Sequence, residues 1–191
     1  MANKDEIIAT ASRLFVEKGF EKTTMEDIAH ALNIHKGSLY YHINSKAEIF
    51  YEILKLSLKE SSKKLVEVRR SKMGPEEKLM KILAVHFKNI HNYSLEYQIL
   101  LNERRHMLDR KQEKYIRTKM KAYENHIFEI LKEGIDAKVF REDLNPRIIV
   151  AGIMGVGNAF YKWFSFDGPL SFDEVADIYI ELFLSGIKRE N

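Results

Sequence analysis

Apolar positions recur three and four residues apart along nearly the whole chain, the period of helices buried on one side. No stretch alternates apolar and polar residues as a strand would, so the pattern predicts an all-α fold of nine helices. Ile7, Ala11, Leu14 and Phe15 share one face of the first, which ends at Gly19, a natural C-cap. Thr24 stands three residues before Asp27 in a capping-box arrangement, and Met25, Ile28, Ala29 and Leu32 form the buried stripe behind it. Asn33 tolerates left-handed backbone angles and supplies a tight turn into a short third helix resting on Ile34, Leu39 and Ile43. Asn44 and Ser45 end that helix and cap a fourth, which runs to about Arg70 and is expected to be the only link to the rest of the chain.

The break at Gly74 and Pro75 starts a fifth helix carrying Leu79, Ile82, Leu83, Phe87 and Ile90. A shorter sixth is expected over residues 95–108, and a long seventh, bearing Ile116, Met120, Tyr123, Ile127 and Leu131, is expected to close at Gly134. Pro146 sits near the start of an eighth over residues 147–164, where proline is tolerated. Ser171, with Glu174 at the capping-box position, opens the ninth.

The third helix departs from the others. NIHKGSLYYHINSK offers a core only three aliphatic positions and turns Lys36, Ser38, Tyr40, Tyr41 and His42 outward. Helix, tight turn and short second helix make the helix-turn-helix arrangement, whose second helix lies in the major groove of DNA. Ala29 is small enough for the two helices to cross closely, and Gly37 lets backbone come near a phosphate. Lys36, Ser38 and Tyr40 are expected at the DNA contact, with Thr24, Tyr41, His42 and Lys46 mainly on phosphates. Net charge does not decide the matter. The chain totals +3, but residues 1–47 hold six Lys or Arg against six Asp or Glu, so basic groups must be sorted onto one face. Spacing alone leaves open a helical adaptor whose first three helices bind protein.

The ordered string TTMEDIAHALNIHKGSLYYHINSKAEIF resembles the DNA-binding signature of TetR-family transcriptional repressors over about residues 5–55. Asn33 stands where the family usually has a turn glycine, Ile43 where it has an aromatic, and Ala47 where an acid is common. The resemblance implies a helix-turn-helix domain over residues 1–47 and a ligand-binding and dimerisation domain over residues 48–191. It further implies a homodimer that holds a palindromic double-stranded operator without a cofactor and lets go when a small hydrophobic inducer binds.

A pocket between helices is mostly apolar with a few polar groups. Its candidate lining is Leu54, Leu58, Phe87, Leu100, Arg104, Ile116, Met120, Tyr123, Ile127, Met154, Asn158 and Tyr161, although residues of these types more often simply form a core. Arg104 and Arg105 interrupt the segment QILLNERRHML, where a guanidinium can meet a ligand carboxylate or phosphate or, equally, stand solvated or pair with Glu103 or a neighbour. From the seventh helix on, EGIDAKVFREDLNPR, GNAFYKWF, DGPLS and LFLSGI resemble family members that regulate fatty-acid and acyl-CoA breakdown. That likeness implies a long-chain acyl-CoA; hydrophobic drugs, sensed by efflux-pump repressors, are the other ligand class. The last two helices carry more apolar surface than outer helices should expose. A two-fold dimer is therefore expected through Gly152, Gly155, Val156, Phe160, Phe164, Ile178 and Leu182.

Other classes find little support. There is no Cys, hence no disulfide or thiolate chemistry. No apolar run approaches the ~20 residues of a membrane span, and the first residues lack the apolar segment of a signal peptide, so a cytoplasmic protein is expected. AGIMGVGNAF has the glycines of a dinucleotide loop but no preceding strand. Seven histidines include no pair four apart, which argues against a metal site, and neither a nucleophile elbow nor paired catalytic carboxylates stand out. No enzyme is expected.

Overall fold

The structure, a computed structural model, describes residues 2–92, 108–165 and 167–189. Among them are eight α-helices and no strand: α1 (Lys4–Lys18), α2 (Met25–Ala31), α3 (Lys36–His42), α4 (Lys46–Arg70), α5 (Pro75–Asn92), α6 (Arg110–Asp136), α7 (Pro146–Trp163) and α8 (Phe172–Ile187). The helix expected over residues 95–108 falls almost wholly on residues 93–107, outside the described ones. No helix among the described residues is long and apolar enough to cross a membrane. The described residues fall into two compact units, 2–57 with 108–117, and 58–92 with 118–165 and 167–189. Both α4 and α6 begin in the first unit and end in the second.

In the first unit α1 starts from a full capping box: the Asn3 side chain accepts from the Glu6 N–H, and the Glu6 carboxylate accepts from the Asn3 N–H, each at 2.9 Å. It ends at Gly19, whose φ of +85° is a backbone angle side chains rarely adopt. The buried stripe Ile7, Ala11, Leu14 and Phe15 faces the core as its spacing predicts. Phe20 sets its ring edge-on to Phe15 at 4.9 Å and to Phe50 of α4 at 5.6 Å, which ties the three elements together. The hydroxyl of Thr23, 1% exposed, donates to the carbonyls of Gly19 (2.8 Å) and Leu14 (3.2 Å) and fixes the α1–α2 connection. The start of α6 belongs to this unit, its Tyr115 ring 6.1 Å from Tyr51 of α4.

In the second unit α5, α7 and α8 pack together around Leu79, Ile82, Leu83 and Ile153, all fully buried. A smaller aromatic cluster joins Phe87 and Ile90 of α5 to Phe160 of α7 and Val175 of α8. Two glycines show why the spacing misled. Gly134 reads as a helix end, yet α6 continues to Asp136 and the left-handed turn is made by Lys138 at φ 57°. The Phe140 ring occupies the space beside Gly134, where a Cβ would lie 2.1 Å from the ring. On α7 the close approach is at Gly157, where a Cβ would meet Ile90 at 2.6 Å and His86 Nε2 at 2.7 Å. Gly155, expected on the dimer face, has no atom within 4 Å of such a Cβ.

Candidate nucleic-acid interface

The platform beneath α3 is built from local rules. At the start of α2 the Thr24 hydroxyl accepts from the Asp27 N–H at 3.1 Å, and the Asp27 carboxylate accepts from the Thr24 N–H (2.8 Å) and hydroxyl (2.6 Å). Lys18 adds an ion pair to Asp27 at 2.8 Å, and this ammonium, followed by Thr24, holds the carboxyl well below its usual range. Asn33 turns the chain at φ 53°, as its side-chain type predicts. α3 then rests on Leu39 and Ile43, both 0% exposed, with Ile34 half-buried. Ser45 accepts from the Glu48 N–H at 3.1 Å and so opens α4.

Lys36, Gly37, Ser38, Tyr40 and Tyr41 are exposed on the far side, Tyr41 at 87%, while His42 is half-buried with its ring edge-on to Tyr41 at 5.2 Å. A Cβ on Gly37 would meet nothing within 4 Å, so no atom of the chain requires a glycine there. Three of the expected contact groups already have partners. The Thr24 hydroxyl serves the capping box. Lys46 is half-buried and donates to the carbonyls of Phe20 (2.6 Å) and Glu21 (3.2 Å), its ammonium 4.3 Å from the centre of the Phe20 ring. Lys36 pairs with Glu26 of α2, a residue that sequence spacing does not single out, because ten positions separate the two. The carboxylate of Glu26 is lowered in pKa chiefly by that hydrogen bond, and Lys36 is raised by the same contact.

The residues expected to line a pocket are dispersed. Phe87 is buried in the aromatic cluster, and Tyr123 and Ile127 are buried in the larger core, where Tyr123 Oη lies 3.0 Å from His86 Nδ1. Met120 is half-buried. Leu100, Arg104 and Arg105, and the side chains of Asn158 and Tyr161, lie outside the described residues. A cleft of about 590 Å³ between α5 and α8 takes in Phe87, Lys88, His91 and Phe172; one of about 360 Å³ between α6 and α7, lined by Lys121, Asn125, Phe128 and Arg147, takes in none of the expected residues. Of the expected dimer face, Gly152, Gly155, Ile178 and Leu182 are exposed, and Val156 and Phe164 are half-buried. Phe160 is 4% exposed and belongs to the aromatic core of its own chain, so it is not available to a partner. No group of three or more metal-binding side chains gathers among the described residues.

A short helix resting on the buried Leu39 and Ile43 after a capped α2, with its polar and aromatic side chains turned outward, defines a helix-turn-helix reading head. Comparison with known proteins gives the family. Residues 7–53 match the model described as bacterial regulatory proteins, tetR family, and residues 72–187 match the tetracyclin repressor-like C-terminal domain. The chain belongs to the TetR family and is a DNA-binding transcriptional repressor of that type. It is 28% identical over 188 residues to the HTH-type transcriptional repressor KstR2 of Mycolicibacterium smegmatis, covering 98% of this chain and 92% of that one. The solved structure of the ketosteroid transcriptional regulator KstR2 of Mycobacterium tuberculosis matches with a TM-score of 0.81 and 27% identity, covering 98% and 95% of the two chains. AibR, solved in complex with isovaleryl coenzyme A and operator DNA, shares the fold at a TM-score of 0.77 and 24% identity, over 94% of this chain and 96% of that one.

Proposed function

We propose that this repressor works in the cytoplasm as a homodimer, by binding and without catalysis, and grips a palindromic operator with the α3 helix of each chain. Residues 1–47 form the reading head in this account, and residues 48–191 bind the effector and the second copy. The exposed face of α3, on a support that leaves Leu39 and Ile43 fully buried, is the observation that carries the reading. Lys36, Ser38 and Tyr40 meet the major groove, Gly37 allows close approach, and Thr24, Tyr41, His42 and Lys46 meet phosphates. Lys46 has a third N–H to offer beside the two carbonyls it serves, so phosphate contact and support of the α1–α2 connection are compatible. The exposed Ile178 and Leu182, at 53% and 63%, with Gly152 and Gly155 exposed on α7, support a dimer face formed by α7 and α8 of two chains.

The effector in this proposal is a long-chain acyl-CoA that occupies the second domain, with Phe87, Met120, Tyr123 and Ile127 toward its apolar part, Leu100, Asn158 and Tyr161 beside them, and Arg104 and Arg105 toward its phosphates. One neighbour in fold, AibR, was solved with a coenzyme A thioester, which supports the class, while the ketosteroid regulator KstR2 supports a bulky apolar effector more generally. Occupancy then shifts α4 and α6, the two helices shared by both units, and changes the separation of the two α3 helices. The test is titration of palmitoyl-CoA, free coenzyme A and a cationic dye into a preformed complex with operator DNA selected from a random pool. Dissociation by palmitoyl-CoA alone, blunted by Arg104→Ala or Arg105→Ala, is expected; dissociation by the dye alone replaces acyl-CoA with the drug class.

A further inference from the structure

Glu26 stands on α2, outside the helix that meets the groove, yet its carboxylate holds the ammonium of Lys36. Lys36 is the only Lys or Arg on α3, so this one ion pair removes the formal positive charge of the reading helix. Both side chains are more than half exposed, and no neighbouring wall fixes them together. The ammonium also lies 5.8 Å from the centre of the Tyr40 ring, which keeps it close to the outward face of α3.

We propose that Glu26 sets the strength of DNA binding by holding Lys36, a role that rests on the reading of α3 as the DNA-contacting helix. Affinity for any duplex arises largely when Lys and Arg neutralise phosphates and release condensed counterions. While Lys36 holds Glu26 its charge is largely spent on that carboxylate, so a phosphate or a guanine edge gains its full attraction only when the pair opens. The cost of breaking the pair is therefore subtracted from every complex alike. It lowers affinity without improving discrimination, because correct and incorrect sites both require the same separation. The freed carboxylate stays on α2, a helix whose capped end is itself expected near phosphate through Thr24, so the exchange is not recovered elsewhere. The consequence is a repressor whose grip is kept weak enough to be undone by an effector of modest differential affinity.

The test is a double-mutant cycle of Glu26→Gln and Lys36→Gln in the full-length protein, read by fluorescence anisotropy on a labelled random-sequence duplex and on a selected operator. Lys36→Gln alone is expected to weaken binding to both. Glu26→Gln is expected to tighten binding to both duplexes by a similar factor, about two- to fivefold, the range of an exposed ion pair. In the Lys36→Gln background that gain is expected to fall to less than half. No gain from Glu26→Gln, or an equal gain with and without Lys36, overturns the proposal; in the second case the carboxylate repels DNA directly and the pair is incidental. Failure of all four proteins to bind either duplex at low salt overturns the DNA-contact reading of α3 as well.

Discussion

In the first unit the buried hydroxyl of Thr23 donates to two carbonyls, whereas in the second the amide nitrogen of Asn89, nearly as deeply buried, has no hydrogen-bond partner among the described residues. The contrast extends further. Around the reading head, Thr24, Asp27, Lys18, Glu48 and Lys46 are engaged in caps, ion pairs or carbonyl contacts. In the second unit Ser61 Oγ is also buried without a partner among the described residues. An unpartnered buried donor or acceptor costs roughly 1–3 kcal/mol. The head is thus a well-capped platform that presents polar side chains outward, and the second unit holds buried polar groups with unused hydrogen-bonding capacity.

The largest effect is expected from emptying the second unit's core. Phe140, 0% exposed, fills the space that Gly134 leaves, and Phe140→Ala should cost about 3–5 kcal/mol in denaturant unfolding. DNA affinity per folded molecule should hold, since the reading head keeps its own support. Loss of DNA binding in fully folded protein would show that the two units do not differ as described.

His86 gives the next effect. Burial pushes its pKa down to about 4, against an ordinary value near 6.5. The unfolded chain therefore binds more protons between those values, and stability should fall as the pH drops from about 6.5 toward 4, by up to ~3 kcal/mol. Above pH 7 this contribution is complete. A His86→Gln variant should lose that part of the slope; an unchanged pH profile of unfolding would contradict the assignment.

The smallest effect is local. Thr24→Ala should lower the unfolding free energy by about 1 kcal/mol through loss of the capping hydroxyl, and Thr24→Ser should restore it. Equal stability of the two variants would mean that the capping box contributes little to the head.

The same contrast explains what the sequence made legible. Helix starts at Thr24 and Ser171, the turn at Asn33 and the buried faces of α1 and α5 depend on residues three or four apart, so a linear reading finds them. The charge state of the reading helix depends on Glu26 and Lys36, ten residues apart on different helices, and the anchoring of Lys46 depends on carbonyls 25 and 26 residues away. No periodicity reports such pairs. Gly134 was misread for a related reason: it answers to Phe140, and Gly157 likewise answers to Ile90 and His86, partners visible only after folding. Phe160 has the spacing of an interface residue, but the aromatic rings of Phe164 and Phe172 at 4.7 and 5.1 Å enclose it within its own chain.

The central claim is that the outward face of α3 reads DNA. It is tested most directly by selecting duplexes from a random pool with the wild-type protein, then measuring affinity for the selected and an unrelated duplex with wild type and Tyr40→Ala. Tyr40 is 41% exposed, so its removal leaves the fold intact. The account expects wild type to prefer the selected duplex by at least about 10³-fold and Tyr40→Ala to lose at least about tenfold on that duplex with little change on the other. Equal affinity of wild type for both duplexes, or a Tyr40→Ala variant indistinguishable from it on the selected one, would contradict the claim.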